Sequence, residues 1–132
     1  MNKGFLVIGS ILSAVSILLG AFGAHGLKPL VTTDVLQSFH TGVQYQMYHS
    51  FALLLAGILY EKFCVRFVKL AGIFFMIGIF LFSGSLYLIT IMKANAIMIP
   101  PYIGIITPFG GIAFVVGWIL LFYAILKSKL ER

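Results

Sequence analysis

The chain has 132 residues, 61% of them apolar and 9% charged, with a formal net charge of +6 and a mean hydropathy of +1.12. Soluble domains carry about 25% charged residues, so a water-soluble domain is excluded and lipid is the expected solvent. The length fits one domain, residues 1–132, and the excess of positive charge does not point to nucleic acid, because the basic residues flank apolar runs instead of forming a patch.

A membrane-spanning helix needs about 20 mostly apolar residues. Four runs approach or exceed that length, 4–23, 43–60, 68–92 and 109–126, separated on one side by the longer segments 24–42 and 93–108. Lipid offers no partners to a bare backbone, so these runs must be helices. The expected fold is an all-α integral membrane protein, a four-transmembrane-helix bundle. Met1-Asn2-Lys3 before the first run also resembles a secretory leader, with Ala21-Phe22-Gly23 as a tolerable cleavage site. The run exceeds the roughly 7–15 apolar residues of such leaders, and it is read as a retained helix.

On the first helix Gly9, Ser13, Ser16, Gly20 and Gly23 are spaced 4, 3, 4 and 3 apart. At about 100° per residue they share an arc of about 80°, a narrow seam of small residues that lets a second helix approach closely. The run ends in Gly20–Gly26, GAFGAHG, and Pro29 stops further helix. Thr32-Thr33-Asp34 supplies N-cap candidates, with Asp34 and Gln37 spaced as a capping box, so a second helix is predicted from near Val35 to Tyr60.

His40 and His49, nine positions apart, fall on opposite faces of that helix and cannot hold one metal ion together. His49 shares its face with Tyr45, Ala52 and Ala56, which directs it into the bundle, where it could bind a ligand, relay protons, or bond to Ser83, Ser85 or a carbonyl near Gly20. The lone Cys64 excludes an internal disulfide and a Cys-rich metal site. Helix three repeats the small-residue device with Ala71, Gly78 and Ser85, and helix four with Gly110, Gly117 and Ala124. Between them, 94–107 contains Pro100 and Pro101 and no charge. That segment is predicted to fold back over the outer end of the bundle, with Thr107-Pro108 as N-cap and first residue of helix four.

With four spans, Lys3, Lys62, Arg66, Lys69, Lys127, Lys129 and Arg132 share one side against Lys28 and Lys93 on the other. This bias predicts cytoplasmic termini, N-in and C-in, in a multi-pass protein of the inner or plasma membrane. The order and spacing of GAFGAHG at 20–26, YQMYH at 45–49, FSGSLY at 82–87 and TPFGGIAFVVGW at 107–118 resemble the small membrane proteins of the YgdD and transmembrane protein 256 type. The resemblance implies a four-span membrane protein and no activity, cofactor or site residue.

The predicted topology brings the four motifs to the outer half of the bilayer, so His25, Gln44, Gln46, His49, Ser83, Ser85, Tyr87 and Thr107 are expected to converge on one polar site. Ionisable groups within a membrane are costly and are functional candidates by default. Metal binding is disfavoured, because three histidines lack a local acidic partner and Asp34 is the one outer carboxylate. A phosphate-cradling loop would follow a strand, whereas Gly20–Gly26 follows a helix. Ser83 and Ser85 lack hydrolase context. No catalytic, cofactor-binding or metal residue is therefore assigned. The expected function is non-enzymatic, a binding or scaffolding protein whose outer polar pocket takes a lipid, a small amphiphile or a partner helix. A small-solute or ion transporter or channel subunit, and an enzyme acting on a lipid-like substrate, are the alternatives, and both need a cavity at His49. Expected partners are membrane lipid and either a partner membrane protein or further copies of the chain, without nucleic acid.

Overall fold

The structure, a computed structural model, describes residues 1–130, with side chains as far as Ser128. Helix α1, Lys3–Phe22, continues without a break into a π-helical turn, Gly23–Leu27. Helix α2 spans Thr33–Leu59. Helix α3, Val65–Gly78, passes through a second π-helical segment, Ile79–Ser83, into α4, Gly84–Ala94, and α5 runs Pro101–Leu130. Three stretches, Lys3–Leu27, Val65–Ala94 and Pro101–Ser128, are long and apolar enough to cross a membrane. Helix α2 is as long but less apolar, because it carries Gln37, Gln44, Gln46, His40 and His49.

Helices α1 and α2 form an antiparallel pair closed at its termini. The Asn2 side chain accepts from the Phe5 N–H at 3.2 Å and caps α1, while the Asn2 N–H donates to the Gly57 carbonyl at 2.9 Å. The terminal ammonium meets Glu61 at 2.8 Å. Along the seam, a side chain at Gly9 would lie within about 3.0 Å of Leu54 and the Ser50 carbonyl, and one at Gly23 would strike Phe39 and His40. Gly20 is looser, in ordinary contact with Val43. Ser13 and Ser16 return their hydroxyls to the carbonyls of Gly9 and Leu12 on their own helix.

Helices α3 and α5 pack through glycines facing rings, Gly78 against Phe114 and Gly117 against Phe75. The closest approach is between Gly110 and the backbone of Phe82, where a Cβ would sit 2.3 Å from a main-chain nitrogen. Only glycine permits that crossing. Phe5, Leu53, Ala56, Val68, Ala71, Phe75, Leu121 and Ala124 form the buried apolar core, in the half of the bundle that holds the chain's start. The outward surfaces are apolar too, with Ile17, Leu18, Phe80 and Phe122 each more than 60% exposed. Exposure on that scale is a liability in water and ordinary in lipid.

The start of α2 and the 94–107 segment depart from sequence expectation. The N-cap of α2 is Thr32, the first of the three candidates, so the helix starts at Thr33 and not near Val35, and the Thr32 hydroxyl donates to the Asp34 carboxylate in place of an Asp34–Gln37 capping box. The 94–107 segment is not the irregular loop expected, because it is helical from Pro101 onward. Helix α4 closes with the Ala96 N–H on the Lys93 carbonyl and the Ile97 N–H on the Met92 carbonyl, Met98 is 90% exposed, and α5 starts at Pro101. Proline favours the first helical position, and Pro101 takes that place seven residues before Pro108. Pro108 then lies inside the helix, where it lacks the N–H that would bond the carbonyl four residues back, that of Gly104. Lys129 and Arg132, counted above among the basic flanking residues, lie outside the described side chains.

Candidate functional site

The polar residues of the motifs do not enclose a shared pocket. They form a set of pairwise ties between helices. Gln46, 3% exposed, donates through Nε2 to the Leu12 carbonyl of α1 at 2.9 Å and accepts the Tyr87 hydroxyl of α4 at 2.7 Å. One side chain of α2 thereby holds two neighbouring helices. Ser83, fully buried, donates to the Gly42 carbonyl at 2.6 Å, one helical turn from Gln46. Ser85 and Thr107 share a hydroxyl–hydroxyl bond of 2.6 Å that joins α4 to α5, and the Ser85 hydroxyl also donates to the Phe82 carbonyl at 2.9 Å.

The π-helical segment Ile79–Ser83 positions this set. A π turn is one extra residue within an α-helix and shifts everything beyond it by part of a turn. Ser83 thereby reaches back to α2 while Ser85, two residues on, faces α5.

His49 is built into the bundle by aromatic rings. Its ring stacks on Phe114 with centroids 3.5 Å apart and planes at 10°, and Phe75 lies at 5.8 Å. Nδ1 is 2.7 Å from the Tyr45 carbonyl and Nε2 accepts the Trp118 indole N–H at 3.1 Å. Both contacts are satisfied by one tautomer, Nδ1–H, with Nε2 as acceptor. The partners expected from sequence, Ser83, Ser85 and the Gly20 region, are not the ones found. Trp118 was the residue missed. It is the chain's one tryptophan, and a half-buried indole N–H in an apolar helix needs an acceptor, which would have directed attention to His49.

Two of the expected site residues lie apart. Gln44 is exposed, because it is two residues from Gln46 and therefore on a far face of α2. His25 is exposed in the first π turn. His40 packs across Gly23 and beside Phe39, remote from His49. Among the described residues no three His, Cys, Asp or Glu side chains converge as a metal-binding group, and every buried side-chain nitrogen or oxygen has a hydrogen-bond partner.

Open space lies at the surface. A groove of 220 Å³ beside the second π segment is lined by Phe80, Leu81, Gly84, Ser85, Leu88 and Ile106. It is almost wholly apolar, and its one hydroxyl, that of Ser85, is already bonded to Thr107 and Phe82. A second cavity, of 260 Å³, lies at the loop end of the bundle between Thr32, Asp34 and Lys93. Neither touches His49.

The family described as "Protein of unknown function (DUF423)" matches residues 19–111. The chain is 40% identical over 126 residues to the UPF0382 membrane protein YwdK of Bacillus subtilis, covering 95% of this chain and 98% of that one. It is 37% identical over 131 residues to a UPF0382 membrane protein of Haemophilus influenzae, 98% of each chain, and 36% identical over 125 residues to one of Staphylococcus aureus, 95% and 97%. No solved structure matches.

Proposed function

This chain belongs to the DUF423 family of membrane proteins, and we propose that it is a non-catalytic binding or scaffolding protein that spans the cell membrane four times with both termini in the cytoplasm. Helix α2 is the fourth span. Its 27 residues rise about 40 Å at roughly 1.5 Å each, enough for a hydrocarbon core of about 30 Å. Part of its lower apolarity comes from Gln46, His49 and Ser50, which are buried against other helices, and Gln37 and His40 stand near its start, at the loop end. The narrower affiliation with the YgdD and transmembrane protein 256 type, carried by the four motifs, is part of the same reading.

The observation that carries the functional reading is the complete pairing of buried polar groups. Groups already bonded across helices have no free valence for substrate, and His49 is stacked and bonded on both nitrogens. This favours binding over the transport and enzymatic alternatives. The binding feature moves from the interior to the flank, to the groove at Gly84. Its occupant is the acyl chain of a membrane lipid. Such a chain makes no polar demand, suits an apolar groove facing the bilayer, and fits the notch left by Gly84, at which a side chain would meet nothing.

A phospholipid with a photoreactive diazirine on its acyl chain, reconstituted with the full chain, tests this. Labelling should concentrate on peptides containing residues 80–88 and 106, and Gly84→Leu should reduce it there while leaving α1 labelling unchanged. Uniform labelling of all lipid-facing peptides, unaffected by Gly84→Leu, would contradict the reading.

A further inference from the structure

Asp34 stands in the first turn of α2 and Lys93 in the last turn of α4, nearly sixty residues apart in sequence, yet they line the same 260 Å³ cavity. They do not close it by pairing. Among the described residues the ion pair within 4 Å is that of the terminal ammonium with Glu61, at the opposite end of the bundle. One wall of the cavity therefore carries a carboxylate and another an ammonium, with space between them. Thr32 orients the carboxylate by donating its hydroxyl to it.

The remaining walls are Leu30, Val31 and Val35. Val35 is buried, whereas Leu30 is 62% exposed beside the cavity, where it offers apolar contact to anything entering from the bilayer. The cavity's height follows from the helices around it. Helix α2 begins there and α4 ends there, so it lies where apolar spans give way to the headgroup layer, whichever leaflet that is. A matching ligand has a cation for Asp34, an anion for Lys93 and an apolar body beside Leu30.

We propose that this cavity binds the headgroup of a zwitterionic phospholipid bearing a primary ammonium, a phosphoethanolamine lipid, with its ammonium on Asp34 and its phosphate on Lys93. A phosphoglycerol lipid lacks the cation and meets Asp34 with like charge. A phosphocholine lipid keeps the charge but has no N–H to donate to the carboxylate. The site shares no residue with the groove at Gly84, so this proposal and the acyl-chain reading fail separately.

The test uses the full chain reconstituted in bilayers containing equal parts of phosphoethanolamine, phosphoglycerol and phosphocholine lipids of identical chains, released into mild detergent and weighed with its retained lipids by native mass spectrometry. Wild type should retain the phosphoethanolamine lipid about fivefold over each of the others, the upper end of what one exposed charge contact supplies, since the phosphate contact is common to all three. Asp34→Asn, at an exposed position, should bring the ratio close to parity. Lys93→Gln, also exposed, removes the contact to the phosphate that all three lipids share and should lower the retention of all three by about twofold or more without abolishing the preference. Lys28→Gln, at the same end but outside the cavity lining, should leave it unchanged. Parity in wild type, an enrichment that survives Asp34→Asn, or total lipid retention unchanged by Lys93→Gln would overturn the proposal. Equal displacement of the lipid by soluble glycerophosphoethanolamine at matched concentration would overturn the lipid as the source and assign the site to a free phosphoester.

Discussion

At the scale of single residues, the polar side chains act by what they bond. Gln46 was legible in the sequence as a candidate for a shared polar site, but its simultaneous hold on Leu12 and Tyr87 was not, because spacing fixes a face and never a partner on another helix. Gln44 faces outward beside Gln46. His25, also exposed, lies well along the chain from Leu12, the Gln46 partner on α1, and near Gly23, which meets Phe39 and His40, so a shared half of the bilayer was too coarse a criterion. Ala96 is a different kind of residue effect. It closes α4 in the left-handed region, φ 54°, a conformation otherwise taken by glycine. The conformation costs a non-glycine residue about 1–2 kcal/mol, and glycine's extra freedom when unfolded returns about 0.4–1 kcal/mol of that. The first term is larger, so Ala96→Gly is expected to stabilise the protein modestly, by roughly 0.5 kcal/mol, as a raised thermal midpoint in detergent. A lowered midpoint would show that the turn is held by contacts that glycine loosens.

At the scale of elements, small residues and prolines explain both what was legible and what was not. The glycine spacing of α1 marks the side that meets α2 at Gly9 and Gly23, since helical periodicity projects directly onto a face. The two π segments have no such signature. They insert a residue without changing composition, so the phase of Ser85 and Tyr87 relative to α3 could not be read from heptad spacing. Pro108 gave a false start for α5 because Pro101 already supplied one, and Pro108 lies inside the helix. The glycines of α5 are correspondingly unequal. Gly110→Ala would push a methyl group into the Phe82 backbone and should cost about 2 kcal/mol, as overpacking in a tight contact does. Gly104→Ala meets open space and should be neutral or stabilising by up to about 1 kcal/mol. Chemical unfolding of the two variants side by side checks this, and equal losses would mean that the α3–α5 crossing is not set by Gly110.

At the scale of the whole molecule, the charges sort by end. The terminal ammonium and Glu61 meet at one end, where Lys127 lies 5.6 Å over the Phe67 ring, and Asp34 and Lys93 line a cavity at the other. The all-helical plan was legible because apolar length and the absence of water leave the backbone no other choice. Orientation rests on the charge bias, and Cys64, half-buried at the N-cap of α3, reports it. A membrane-impermeant maleimide should label Cys64 after permeabilisation and not in intact cells, and labelling of intact cells would reverse the topology.

In the proposed function the interior polar groups tie the helices together and lipid binds at the flank. A double-mutant cycle of Gln46→Leu and Tyr87→Phe, with unfolding free energy and acyl-chain labelling read on the same samples, tests that most directly. Each single variant leaves a partner unpaired and should cost about 1–2 kcal/mol. The double variant should cost less than the sum by about 1 kcal/mol, with labelling at 80–88 unchanged in every folded variant. Additive, negligible stability losses accompanied by loss of labelling would contradict it and return the binding function to the buried polar residues.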